Sequence, residues 1–193
     1  MLDFINAYND FKNINSELFD QNELKLLSSL MGEIHYDPSI KYLSGITSKE
    51  KKHIDDKLTL FMKKHWDKYP AGSCGNLHNL HLEEIGTIFP RAKFLYLTVG
   101  SLIVDGRNIY NVPPPDQVSS IYLPTNNQFH IWITLDSGEI IDLAHNTTLS
   151  LVRKDKSLLK PIYGAQETIF KKYGMEYNPY NISGHIDNTI DHF

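Results

Sequence analysis

One thiol, one imidazole and one carboxylate in this chain have the types and order needed for acyl transfer. Cys74 is the only cysteine of 193 residues. It lies in Ala71-Gly72-Ser73-Cys74-Gly75-Asn76-Leu77-His78-Asn79-Leu80-His81-Leu82-Glu83-Glu84-Ile85, which reads as a loop turning into a helix. Pro70 and Gly72 disfavour a helix running in from the preceding segment. Ser73 is a good N-cap, and Asn76, three residues on, is a weaker stand-in for a capping-box glutamate. Leu77, Leu80 and Ile85 follow at helical spacing. Cys74 is therefore expected at the first helical position. Unpaired N–H groups and a partial positive charge there favour thiolate over thiol. The same N–H groups can hold the oxyanion of a tetrahedral intermediate.

The imidazole and the carboxylate come later. Gln128-Phe129-His130-Ile131-Trp132-Ile133-Thr134-Leu135 largely alternates polar and apolar and predicts a strand. Asp136-Ser137-Gly138 reads as a turn, and Glu139-Ile140-Ile141-Asp142-Leu143-Ala144 as the returning strand. A three-residue loop Asp136–Gly138 sets Thr134 opposite Ile140. Asp142 is then the same-face diagonal neighbour of His130, roughly 7–8 Å away. A loop of Leu135 to Ser137 instead puts His130 and Asp142 directly opposite, about 4.5–5.5 Å apart at Cβ. A register one residue off turns them to opposite faces. In the first two registers the carboxylate can fix the imidazole tautomer and stabilise the imidazolium.

The order Cys74 … His130-Ile131-Trp132 … Gly138-Glu139-Ile140-Ile141-Asp142 resembles that of transglutaminase-like and papain-like cysteine enzymes. The hairpin is also similar to one in a group of small bacterial proteins of unassigned function. The resemblance spans about Gly72 to Asp142. It implies an α+β fold with the cysteine helix packed on an antiparallel sheet. It also implies a Cys74-His130-Asp142 triad acting on an amide, ester or isopeptide bond of a protein, peptide or small amide. Transglutaminases often carry an aromatic residue soon after the cysteine, where this chain has Gly75 and Asn76. Simple hydrolysis therefore stays open beside transfer to an amine. The Arg-Gly-Gly-x-Cys lead-in of arylamine acetyltransferases is absent.

Other readings of the same residues stand beside this one. A lone cysteine near a loop can be a small buried side chain. His130 can be a half-buried strand histidine beside a chance acid. The whole chain can be a binding or regulatory module that keeps such a fold without chemistry. Cys74, His78 and His81 could form a metal half-site, but no second Cys/His cluster with ligand spacing completes it, so no metal and no cofactor are expected. His78 competes with His130 as base. One turn along the helix, however, it would point along the helix surface and not across the thiol. For the second oxyanion donor or a substrate contact the candidates are Trp66, Ser73, Asn76 and Gln128. Trp132 is expected to pack beside the dyad.

Composition sets the class. The chain is 41% hydrophobic and 22% charged, as in an ordinary globular protein, and its length suits a single domain, 1–193. A net charge of −4 offers no basic excess for a phosphate backbone, which argues against nucleic acid. One cysteine excludes an internal disulfide and fits a reducing compartment. The first residues lack a signal-peptide pattern and no apolar run is long enough for a membrane helix, so a cytoplasmic protein is expected. A secretion route without a cleaved signal stays open, and no motif sets an oligomeric state.

The elements that must position these residues divide the chain. Segment 1–70 reads as helical: a short helix around Leu2–Tyr8, another over Asn22–His35, and a long one capped by Thr47 or Ser48 with Glu50 in its first turn. Ile54, Leu58, Leu60, Phe61, Met62 and Trp66 are its apolar residues, and its lysines are solvated. Segment 71–193 supplies the cysteine helix and the sheet. Lys93–Val104 is a strand bent at Gly100, Asp105-Gly106 a turn, and Arg107–Asn111 a continuation. Pro113–Pro115 opens a surface loop, Ser119–Leu123 is a strand and Pro124–Asn127 a turn. Thr147–Leu151 starts a short helix, Lys154–Lys156 is a solvated loop, and Ala165–Lys172 is a helix closed by Gly174. Tyr177–Asp187 is a polar, aromatic tail. Helices first and an antiparallel sheet afterwards predict an α+β fold.

Overall fold

Residues 37, 39–69, 71, 73–109 and 129–187 are described by the computed structural model. The expected helices at Leu2–Tyr8 and Asn22–His35, the loop at Pro113, the strand at Ser119, the turn at Pro124, and Pro70, Gly72 and Gln128 lie outside them.

The long helix, α1 (Ser48–His65), begins at a complete capping box. Thr47 Oγ1 accepts from Glu50 N–H, and the Glu50 side chain accepts from Thr47 N–H at 2.7 Å. Two orphan donors are thus satisfied at once. Leu58, Phe61, Met62 and His65 form the buried stripe of α1. Leu60 is not part of it and stands 68% exposed.

The expected single helix after Cys74 is two short ones, α2 (Cys74–Asn79) and α3 (Leu82–Gly86). Ser73 does not cap α2 with its side chain. Leu80 ends α2 and is exposed, while Leu77 and Ile85 are buried. The break turns each short helix to bury its own apolar residues.

Among the described residues, six strands form one antiparallel sheet. β1 (Phe94–Val104), β2 (Arg107–Asn108), β3 (His130–Leu135), β4 (Ile140–Asp142) and β5 (Ile162–Gly164) lie in the order β2-β1-β3-β4-β5. The tail is not a tail. Met175–Asp187 forms β6, which pairs antiparallel with the full length of β1 and shifts register at Leu97/Thr98 and Val99/Gly100. Gly100 is where the sheet requires glycine. A Cβ there would lie 2.5 Å from Trp132 Cη2 and would also run into the Asn178 carbonyl of β6.

Side-chain alternation splits the core between the two faces of the sheet. Leu95, Leu97, Val99, Ile131, Ile133, Leu135 and Ile141 pack with α1, α2 and α3. Tyr96, Leu102, Trp132, Ile140, Tyr177 and Ile182 pack with Ile169 of α5 (Gln166–Tyr173). Between β4 and β5 runs α4 (Ala144–Arg153), longer at both ends than the Thr147–Leu151 turn expected from the sequence. Gly174 closes α5 in the left-handed conformation at φ 64°. The architecture is α+β with an antiparallel sheet. Among the described residues, no helix is long and apolar enough to cross a membrane.

Candidate active site

The β3–β4 hairpin adopts the first of the three registers set out above. Thr134 pairs with Ile140, Leu135 N–H donates to Glu139 C=O at 2.8 Å, and Asp136–Gly138 is the whole loop. Asp142 is therefore the diagonal neighbour of His130 on the same face, and its carboxylate closes the gap. His130 Nε2 and Asp142 Oδ2 are 2.6 Å apart, both side chains fully buried. With Nε2 committed to Asp142, Nδ1 is the nitrogen left for Cys74, whose side chain lies near enough to help raise the His130 pKa. The thiol comes from the helical layer and the imidazole from the first position of β3.

Asp142 holds more than the imidazole. Its Oδ2 also accepts from Tyr177 Oη at 2.7 Å. Its Oδ1 accepts the backbone N–H groups of Ala144 at 2.9 Å and His145 at 3.1 Å. This second pair explains where the strand ends. The carboxylate satisfies orphan donors of the first turn of α4, so the chain enters a helix at Ala144 instead of continuing β4. Four donors converge on one buried carboxylate. Burial alone would raise its pKa, but the His130 charge and hydrogen bond, with His78 and His145 nearby, hold it well below the usual carboxylate range. For His130, burial favours the neutral ring. The Asp142 charge and hydrogen bond, aided by Cys74, override this and raise its pKa from 6.5 to about 10. The pair is a buried carboxylate–imidazolium.

The competing base is disposed of by its own hydrogen bond. His78 Nε2 accepts from Leu143 N–H at 3.1 Å, so its lone pair is occupied. Burial, only partly offset by Asp142, pushes its pKa down to about 4. His78 is a neutral ring joining α2 to the end of β4.

Of the weaker candidates among the described residues, Trp66 and Trp132 have their indole N–H groups committed elsewhere. Trp66 Nε1 donates to Ser150 Oγ at 2.6 Å. Trp132 is fully buried, its indole N–H donating to Thr134 Oγ1 at 3.1 Å and its ring edge-on to Tyr177 at 5.1 Å. A ring sealed in this way packs the dyad and meets no substrate. Asn76 is exposed at the surface of α2 and Ser73 half-buried before it. Cys74 itself is 5% exposed. Two clefts, one between Lys51, Asp55 and Tyr163 and one between Tyr42, Ile54, Ile88 and Arg91, are lined by neither Cys74 nor His130.

Sequence reasoning missed Tyr177, Glu139 and the partners of His81. Tyr177 lies in the unrecognised strand β6. Gln166 fixes it there: its Oε1 accepts Tyr177 N–H and its Nε2 donates to Met175 C=O, both at 3.2 Å. Glu139 is buried and takes the backbone N–H groups of Tyr42, Leu43 and Ser44 at 2.7, 3.0 and 3.2 Å. The acid after Gly138 thus ties the hairpin to the loop before α1, while Asp142 serves the histidine. His81 does not join Cys74 and His78. The break after α2 turns it toward α1, where it stacks on His65 with ring centroids 3.9 Å apart.

Compared with known proteins, the chain matches no protein family, no curated protein and no solved structure.

Proposed function

We propose that this protein is a cysteine-dependent acyl enzyme that cleaves or transfers an amide, ester or isopeptide bond of a protein, peptide or small amide. The observation that carries the reading is the His130 ring bonded to the buried Asp142 carboxylate, with Cys74 near enough to bear on its protonation. A cysteine on a helix, packed against antiparallel strands that carry the histidine and the acid, supports a transglutaminase-like or papain-like arrangement. Cys74 attacks the substrate carbonyl carbon while His130 Nδ1 holds the thiol proton. The tetrahedral oxyanion is met by the Cys74 backbone N–H, which no intrahelical carbonyl claims. His130 then gives its proton to the leaving group, and a thioester remains on Cys74. Water or an amine, deprotonated by His130, attacks the thioester and frees the sulfur. Asp142 keeps Nδ1 directed at the sulfur throughout and balances the imidazolium charge.

One observation favours the second reading, a binding or regulatory module without chemistry: Cys74 keeps only 5% of its surface exposed. Alkylation separates the two. In the native acyl enzyme, iodoacetamide labels Cys74 as an activated thiolate, faster than it labels an ordinary thiol. His130→Gln slows that labelling. Labelling that follows an ordinary thiol titration and ignores His130→Gln, or no labelling until the protein unfolds, refutes the enzyme reading.

A further inference from the structure

His65, His81 and Glu84 come together where the last turn of α1 meets α3. The donor atoms of the three side chains all lie within 4.8 Å of one another. His65 Nε2 is 3.5 Å and His81 Nδ1 is 3.4 Å from the same oxygen, Glu84 Oε2. Three donors about 2.0–2.1 Å from one tetrahedral cation stand about 3.3–3.4 Å apart, so both measured edges fit a single central ion.

An independent observation points the same way. His65 is 97% buried, and neither of its ring nitrogens has a hydrogen-bond partner. A buried imidazole without partners is costly, because each unsatisfied nitrogen has lost its water without a replacement. A metal bond to Nε2 removes that cost at one nitrogen. The outer contacts are those that ligands need. Tyr69 Oη is 2.9 Å from His81 Nε2 and can accept its proton, the tautomer that leaves Nδ1 free to bind. Lys64 Nζ holds Glu84 Oε1 at 2.7 Å and leaves Oε2 turned toward the rings. Phe61 walls the site, its ring 4.6 Å from His65 and 5.4 Å from His81.

We propose that His65 Nε2, His81 Nδ1 and Glu84 Oε2 form a binding site for one borderline divalent cation, zinc by its donor set, with water completing the tetrahedron. Two imidazoles and one carboxylate are nitrogen–oxygen ligands of that class. The Lys64 ammonium on Glu84 opposes a dication and weakens the site without closing it. The ion clips α1 to α3 across the segment that carries α2 and Cys74. The site is independent of the acyl-enzyme reading, because none of its ligands touches the His130–Asp142 pair.

The test uses the full chain, stripped with EDTA and titrated with zinc against a chromophoric chelator. One equivalent is expected in the wild type and in Cys74→Ser. Glu84 is 40% exposed in its side chain, so Glu84→Gln keeps the fold, and it weakens binding by at least about tenfold. His81→Gln does the same. No uptake by the folded wild type overturns the proposal. So does uptake that survives both Glu84→Gln and His81→Gln, or that disappears in Cys74→Ser.

Discussion

Replacing Asp142 by asparagine removes one buried charge while leaving the shape almost unchanged. Its consequence follows from what faces each carboxylate oxygen. Asn Oδ1 can still accept from Ala144 and His145. The amide NH2 takes the place of Oδ2, where His130 Nε2 and Tyr177 Oη now meet an acceptor at 2.6 and 2.7 Å. Donor then faces donor, so His130 must present a bare Nε2 and carry its proton on Nδ1, the nitrogen facing the sulfur. The ring can no longer take the thiol proton. A wrong tautomer of this kind lowers kcat by about 10⁴ in the serine-protease triad. The charge balance changes as well. Asp142 lifts His130 from 6.5 to about 10 against the effect of burial. At about 1.4 kcal/mol per pH unit, that is on the order of 5 kcal/mol of preference for the imidazolium. With the carboxylate gone, the main force opposing burial is lost and the ring's pKa falls.

The sign for stability follows from the same values. A histidine whose pKa is raised on folding contributes fully below 6.5, and that contribution is lost as pH rises through about 10. An aspartate whose pKa is lowered contributes above 3.8 and loses its contribution as pH falls through its folded value. The pair is therefore worth most between about pH 4 and 6.5. Breaking it costs about 3–5 kcal/mol there. The stability gap between wild type and Asp142→Asn should be widest near pH 6 and shrink toward pH 10. Urea unfolding at the two ends of that range measures the gap. The His130 ring resonances, assigned by their loss in His130→Gln, give the titration directly. A wild-type ring that titrates at or below 6.5, or a gap that stays constant with pH, refutes the reasoning.

Tyr177→Phe deletes the hydroxyl that donates to Asp142 Oδ2 at 2.7 Å and leaves the ring packing on Trp132. A hydrogen bond to a buried charge is worth about 1.5–3 kcal/mol, so chemical denaturation at neutral pH should register that loss. A change below about 0.5 kcal/mol would contradict the bond. Gly100→Ala drives a methyl into the Asn178 carbonyl and Trp132 Cη2, forcing β1 away from β6. Overpacking of this kind costs about 1–3 kcal/mol, and its thermal midpoint should fall accordingly, whereas an unchanged midpoint would refute the close approach.

What the sequence made legible is what local chemistry decides. Thr47 or Ser48 with Glu50 in the first turn marked the start of α1, and the Asp136-Ser137-Gly138 turn narrowed the hairpin to three registers, two of which bring His130 and Asp142 to one face. The strand pattern up to Val104, the bend at Gly100 and the stop at Gly174 were equally local. What stayed hidden depends on partners distant in the chain. β6 contains Pro179, Gly184 and two asparagines, all poor strand formers, and it exists because β1 offers a full-length edge with bulges that absorb the misfits. The start of α4 was read three residues late because the donors that begin it answer to Asp142, a residue read as strand. The break between α2 and α3 follows from burying Leu77 and Ile85 on different neighbours, which a single helical stripe conceals. His65 and His81 meet only because α1 and α3 pack together, so ligand spacing along the chain carried no trace of them.

The placement of Asp142 has a consequence for how the site is held. Its Oδ2 is shared between His130 on β3 and Tyr177 on β6, and its Oδ1 belongs to the first turn of α4. Asp142 is thus a junction of three elements, one of them the last of the described strands. Each donor lowers the energy of the carboxylate, and the carboxylate is what keeps His130 charged. One of the four donors on Asp142 is therefore in place only after β6 has docked on β1 and Gln166 has fixed Tyr177. A chain with β3 and β4 paired but β6 absent would hold the same three chemical residues in order. It would have one donor fewer on Asp142 and an open edge beside β1. Formation of the site and completion of the sheet are on this account one cooperative event, not two.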